Sequence, residues 1–204
     1  MDKINIRKAK ETDIAKIVEI YENFLAYEKE HGTHSNWVKD LYPTEKNARN
    51  GLEAGTLYVG ELNGEVIGSY VVNHTQPAEY GKFHWEYLGE GDQVIVIHTL
   101  CLDVNQQGKN LGRQFVEYAL ELGRKKGCKT MRLDTADINT PAANLYYNMG
   151  FRYVGKTEFF FEQAILEDLI CFEYRLDGPM NIDKETNLAN LLKDIGSLDT
   201  KINK

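Results

Sequence analysis

Val94-Ile95-Val96-Ile97-His98-Thr99-Leu100-Cys101-Leu102-Asp103-Val104-Asn105-Gln106-Gln107-Gly108-Lys109-Asn110-Leu111-Gly112-Arg113-Gln114-Phe115 is the stretch that decides how this chain reads. Its first nine residues are mostly β-branched or aliphatic, too continuous for a strand with one wet face, so they predict a strand buried on both sides. Asp103 ends the run, and Asn105 to Asn110 contain no apolar residue. Leu111, Phe115, Ala119 and Leu122 then recur at helical spacing, which places a tight turn before a helix that opens near Asn110. Gly108 adopts positive φ without steric cost, and Asn110 tolerates it better than most residues. Successive amides in such a turn converge into a nest, and a nest at a helix N-terminus, where the dipole is positive, holds phosphate.

Two familiar phosphate motifs are absent. A Walker loop ends in Gly-Lys-Ser/Thr, whereas this turn ends in Gly112-Arg113. A dinucleotide fingerprint needs three spaced glycines, which Gly108 and Gly112 do not supply.

Outward from this stretch, the composition narrows the classes. A chain of 204 residues buries a substantial core as one large domain or as a domain with an extension. The net charge of −7 argues against a nucleic-acid partner and mildly favours a cationic substrate such as an amine. Cys101, Cys128 and Cys171 lie in apolar, strand-like surroundings without CxxC spacing, which predicts buried reduced thiols and no metal site. The polar N-terminus and the lack of an eighteen-residue apolar run predict a cytoplasmic protein with no membrane partner.

In chain order, Ile4–Arg7 alternates as a first strand, and Thr12-Asp13 caps a helix that His31-Gly32 ends. A second helix runs from Pro43-Thr44 to about Ala54. Asn63-Gly64 joins two strands as a hairpin. Residues 75–92 are rich in aromatics but have no period, and Tyr80, His84, Trp85, Glu86 and Tyr87 there either contact substrate or cap a core. Cys128–Thr135 is a further strand, and Asn139–Gly150 a helix with Pro141 in its first turn and Gly150 as its stop. Strands at Tyr153–Phe161 and Asp168–Leu176 follow. Leu188, Leu191, Leu192, Ile195, Leu198 and Ile202 then form an amphipathic helix that packs on its own domain or pairs a homodimer. The expected division is a domain over 1–177 and a helical extension over 178–204.

Gln107-x-x-Asn110-x-Gly112, after a strand ending in Leu100-Cys101-Leu102, resembles motif A of the GCN5-related N-acetyltransferases, the GNAT family, with Asn110 in place of the first glycine. Asn139, Ala142, Leu145, Tyr146, Gly150 and Phe151 resemble the family's motif B, in the family's order. The resemblance spans about residues 4 to 176 and implies an α/β (α+β) fold: a mixed, mostly antiparallel sheet with a splayed central strand, flanked by helices. It implies direct transfer of an acetyl group from acetyl-coenzyme A to an amine within a ternary complex. Main-chain amides from Gln107 through Gly108, Lys109, Asn110, Leu111 and Gly112 to Arg113 would hold the diphosphate, with the charges of Lys109 and Arg113 adding to the grip. Amides of Leu100, Cys101 and Leu102 would face the acetyl oxygen and the pantetheine arm.

On the helix after residue 139, positions i, i+3 and i+7 share a face. Asn139 would bond the arm, small Ala142 would leave it room, and Tyr146 would protonate the sulfur. His98 resembles in place a histidine that serves as base in one family member, with Glu86 or a relayed water as competitors. Asp134 and Glu158 are weaker candidates for the base, with nothing special in their spacing. Cys101 suggests an acyl-cysteine intermediate less than a core side chain. A non-catalytic acyl-coenzyme A binding or sensing domain and a nucleotide-binding module are the rival readings.

Overall fold

The computed structural model describes residues 3–106, 108–161 and 165–195. Strand β1 (Asn5–Lys8) leads through a 3-10 turn into α1 (Ile14–His31), which ends at Gly32, where φ is +100°. Helix α2 (Glu45–Glu53) is capped at Thr44, and β2 (Leu57–Leu62) and β3 (Glu65–Asn73) form the hairpin expected around Asn63-Gly64. Next come β4 (Val94–Leu102), α3 (Leu111–Lys125), β5 (Thr130–Ala136), α4 (Thr140–Asn148), β6 (Arg152–Phe161), β7 (Ile165–Arg175) and α5 (Lys184–Asp194).

Seven strands form one sheet in the order β1-β2-β3-β4-β5-β7-β6. β4 and β5 run parallel, while β1/β2, β2/β3, β5/β7 and β6/β7 are antiparallel. The sheet is therefore mixed and mostly antiparallel, flanked by helices, as the resemblance implied. The parallel register runs from Val94 opposite Thr130 to Val96 opposite Arg132, and β4 continues six residues further, to Leu102.

The chain resolves into two compact units. The first comprises residues 1–33, 37–73 and 97–121, with a core in which Ile14, Ile17, Ile20 and Tyr21 of α1 meet Leu57 and Val59 of β2 and Cys101 of β4. The apolar residues of α1 recur every three to four positions, so one helical face supplies them.

The second unit comprises residues 34–36, 74–96 and 122–204. Its core gathers Tyr80, Trp85, Val94, Val96, Ala136, Phe159, Leu169 and Cys171. Residues 78–87 lie over this core even though their sequence has no period. A carboxylate anchors them: Glu173 on β7, fully buried, accepts the amides of Glu86 (3.0 Å) and Tyr87 (3.1 Å) and pairs with Arg152. The Arg132 guanidinium stacks 4.2 Å from the Trp85 ring.

Helix α5 docks on β6 in this unit. The Asn187 side chain accepts from the Tyr153 amide and donates to its carbonyl, and Leu191 is fully buried. The amphipathic stripe therefore packs on its own chain as far as Ile195, while Leu198 and Ile202 lie outside the described residues.

Candidate active site

In the first unit, the turn between β4 and α3 has the backbone its residue types allow. Gly108 takes φ +75° and Asn110 φ +59°, and α3 begins at the next residue, Leu111. A side chain at Gly108 would meet nothing within 4 Å, so the outer side of the turn is open to a ligand. Asp103 organises the approach, its carboxylate accepting from the amide and side chain of Asn105 in a local Asx turn. Lys109 is exposed and reaches Gln106, while Arg113 pairs with Glu117 one helical turn on. Gln107 lies outside the described residues.

β4 carries a distortion that its residue pattern does not announce. Thr99 has φ +51°, a genuine outlier for a β-branched residue, and its hydroxyl hydrogen-bonds that of Tyr42 at 2.5 Å. Strain of this kind persists where surrounding contacts over-determine it, and it clusters at active sites. Tyr42 is held in turn by Trp37, and Trp37 by Phe24.

On either side of Thr99, His98 Nε2 lies 3.0 Å from Asn73 Oδ1, and Leu100 and Leu102 are partly buried. Cys101 is buried, and burial pushes its thiol pKa far up, which disfavours the thiolate an acyl-cysteine intermediate requires. Gly68 on β3 is the neighbour that this backbone requires: a Cβ there would come within 2.9 Å of the Cys101 carbonyl oxygen and 2.5 Å of Leu102 Cδ2.

In the second unit, α4 places Asn139, Ala142 and Tyr146 along one side. Asn139 is the N-cap, its Oδ1 accepting from the Ala142 amide at 3.1 Å. That carbonyl oxygen is therefore engaged in holding the helix, and a bond to a ligand falls to the amide nitrogen. The Tyr146 ring is buried between Phe151 and Phe172, with centroids 5.8 and 5.6 Å away. Burial first, and the charge of Asp134 second, hold its phenol pKa above the usual value, so the group is a neutral donor at physiological pH.

Of the five candidates in 75–92, Tyr80, Trp85 and Tyr87 are core residues, while His84 and Glu86 are exposed. The family model for "Acetyltransferase (GNAT) family" matches residues 17–151, a span holding the β4–α3 turn and α4. The chain belongs to this family. It is therefore a GNAT acyltransferase, and its fold matches that of solved GNAT structures.

The thialysine N-epsilon-acetyltransferase of Sus scrofa is 26% identical over 179 residues, covering 83% of this chain and 98% of that protein. A GNAT-family acetyltransferase of Streptococcus agalactiae superposes with a TM-score of 0.72 at 17% identity, over 86% of this chain and 96% of that one. The structure of yncA from Salmonella typhimurium with its cofactor acetyl-CoA gives 0.62 at 22% identity, over 89% and 98%.

One weaker candidate of the sequence gains distinct surroundings in this GNAT chain. Asp134 on β5 accepts a 2.7 Å hydrogen bond from the Tyr80 hydroxyl. Its pKa rises to about 6, driven by burial, with the Glu79 charge adding and the Tyr80 hydrogen bond opposing. Glu167 on β7 is raised to about 7, again mainly by burial, with Asp134 adding its charge and the Asn36 hydrogen bond opposing. Among the described residues there is no group of side chains fit to hold a metal ion, and no helix long and apolar enough to cross a membrane.

Proposed function

We propose that this protein transfers an acetyl group from acetyl-coenzyme A to a primary amine of a small molecule or peptide, by direct transfer in a ternary complex. The observation that carries the reading is the turn at Gly108 and Asn110, with two positive-φ residues just before α3 and open space outside Gly108. Main-chain amides of Gly108, Lys109, Asn110, Leu111, Gly112 and Arg113 hold the diphosphate there, aided by the helix dipole. Amides of Leu100, Cys101 and Leu102, on the strand distorted at Thr99, receive the acetyl oxygen as it becomes negative.

The amine nitrogen attacks the thioester carbon, the C–S bond breaks, and Tyr146 gives its proton to the departing sulfur. Asn139 and Ala142 border the pantetheine arm. The resemblance offers His98 as base, and its ring is fixed by Asn73. The thialysine acetyltransferase likeness supports an aliphatic amine as acceptor. A cytoplasmic setting and a catalytic domain over residues 1–177 belong to the same reading.

The test is thiol release from acetyl-coenzyme A in the presence of a panel of primary amines, with thermal shift on coenzyme A, ATP and NAD in parallel. Coenzyme A alone should stabilise the protein, and at least one amine should accelerate release. Stabilisation without release from any amine would favour a sensing domain, and stabilisation by ATP or NAD a nucleotide module.

A further inference from the structure

The sheet face of the second unit that carries Arg132, Asp134 and Ala136 on β5 also carries Glu167, Leu169, Cys171 and Glu173 on β7, since Asp134 is in register with Cys171 and Arg132 with Glu173. The polar groups on this face are of two kinds. Arg132 and Glu173 are structural: Arg132 reaches the Gln76 side chain and the Tyr87 carbonyl, and Glu173 takes two amides and Arg152. Asp134 is different. Its hydrogen-bond partner is a neutral hydroxyl, and the residue as a whole is only partly buried. It stands two residues beyond Arg132, where the parallel register with β4 ends. It also lies close enough to Tyr146 to act electrostatically on that phenol.

We propose that Asp134, oriented by the Tyr80 hydroxyl, is the base that takes the proton from the acceptor's ammonium group, and that Tyr80 is its positioning residue. This inference rests on the transfer reading above. A carboxylate with a partner that donates but carries no charge remains basic, whereas an ion-paired one does not. The groups facing it are Tyr80 and Glu79 from the 78–82 turn, Tyr146 from α4, Cys171 and Glu167 from β7, and Arg132 on its own strand.

The placement also couples the two proton transfers. While Asp134 is ionised, its charge holds the proton on Tyr146. Once Asp134 has taken the ammonium proton, that field is gone, and the phenol becomes a better acid as the C–S bond breaks. Protons balance: the first one from nitrogen stays on Asp134 until the C–S bond has broken and is then released to solvent. The second, lost as the amide forms, replaces the one that Tyr146 gives to the sulfur.

The experiment measures kcat/KM for thiol release from acetyl-coenzyme A against pH, using the best primary amine from the panel. Asp134→Asn should lower kcat at neutral pH by about 10²-fold or more, leave KM for acetyl-coenzyme A in place, and recover as alkaline pH deprotonates the amine in solution. Tyr80→Phe, which removes a hydrogen bond that favours the ionised form, should move the acid limb to higher pH while transfer persists. A wild-type profile in Asp134→Asn, an equal loss at every pH, or an acid limb abolished by His98→Gln and kept in Asp134→Asn overturns the inference with the transfer reading intact. If wild type releases thiol with no amine, it is the transfer reading that falls, and this one with it.

Discussion

Replacing Asp134 by Asn should make the folded protein more stable, and the size and pH range of the gain follow from where the carboxylate sits. Burial lifts its pKa from the usual 3.8 to about 6. That difference corresponds to about 3 kcal/mol between the two protonation states. The folded state holds the proton more tightly than the unfolded chain, so stability is lost as pH rises. The penalty is absent below about pH 3, where both states are protonated, grows between the two pKa values, and is complete above about pH 7, where both are ionised.

Asparagine retains an oxygen for the Tyr80 hydroxyl and carries no charge. The difference in unfolding free energy between Asp134→Asn and wild type should therefore grow by up to about 3 kcal/mol between about pH 4 and about pH 8. Urea denaturation of both proteins at one-unit pH intervals reads this directly, because other titrating groups largely cancel in the difference. A flat difference across that range would mean that the carboxylate is not desolvated, and the case for a poised base would go with it. A stability gain combined with lost transfer is the trade-off expected where a strained group is kept for function.

Three further outcomes follow from the geometry. Gly68→Ala would drive a methyl against the Cys101 carbonyl and Leu102, costing about 1–3 kcal/mol by urea midpoint. Because it displaces the backbone proposed to receive the acetyl oxygen, it should also lower kcat more than a side-chain change at Leu100. Tyr42→Phe removes the partner of the Thr99 hydroxyl and should cost about 1 kcal/mol, with a fall in kcat as the distorted residue relaxes. Glu173→Ala strips two amides and Arg152 of a fully buried carboxylate, so a loss of about 3–5 kcal/mol is expected, with faster amide hydrogen exchange concentrated at Glu86 and Tyr87.

The parts of this protein legible in its sequence are those whose cause is local. Asn63-Gly64, Gly108, Asn110 and Pro141 declare their backbone by residue type, and positive φ at Asn63, Gly64, Gly108 and Asn110 bears that out. The buried strand before the turn and the amphipathic helix after it follow from periodicity alone. Asn139 was legible as a motif residue, but its capping role lay in a plainer signal, an asparagine just ahead of a helix that carries proline in its first turn. What stayed hidden has a distant cause. Residues 78–87 show no period because a carboxylate 86 to 87 positions later, and not their own pattern, fixes them. Thr99 looks like an ordinary strand residue, since nothing in a β-branched side chain foretells φ +51°, and the hydroxyl that meets it is 57 positions away.

Asp134 sits on an alternating strand in which a polar residue every second position is commonplace. It becomes chemically distinct only when Tyr80, 54 positions earlier, is folded over it and water is largely removed. Local patterns thus identify the turn proposed to hold phosphate, because that chemistry uses main-chain groups that any sequence of the right conformation provides. The pairing proposed here for proton transfer, Asp134 with Tyr80, depends on burial and on a partner brought from afar, so it becomes recognisable in the folded chain.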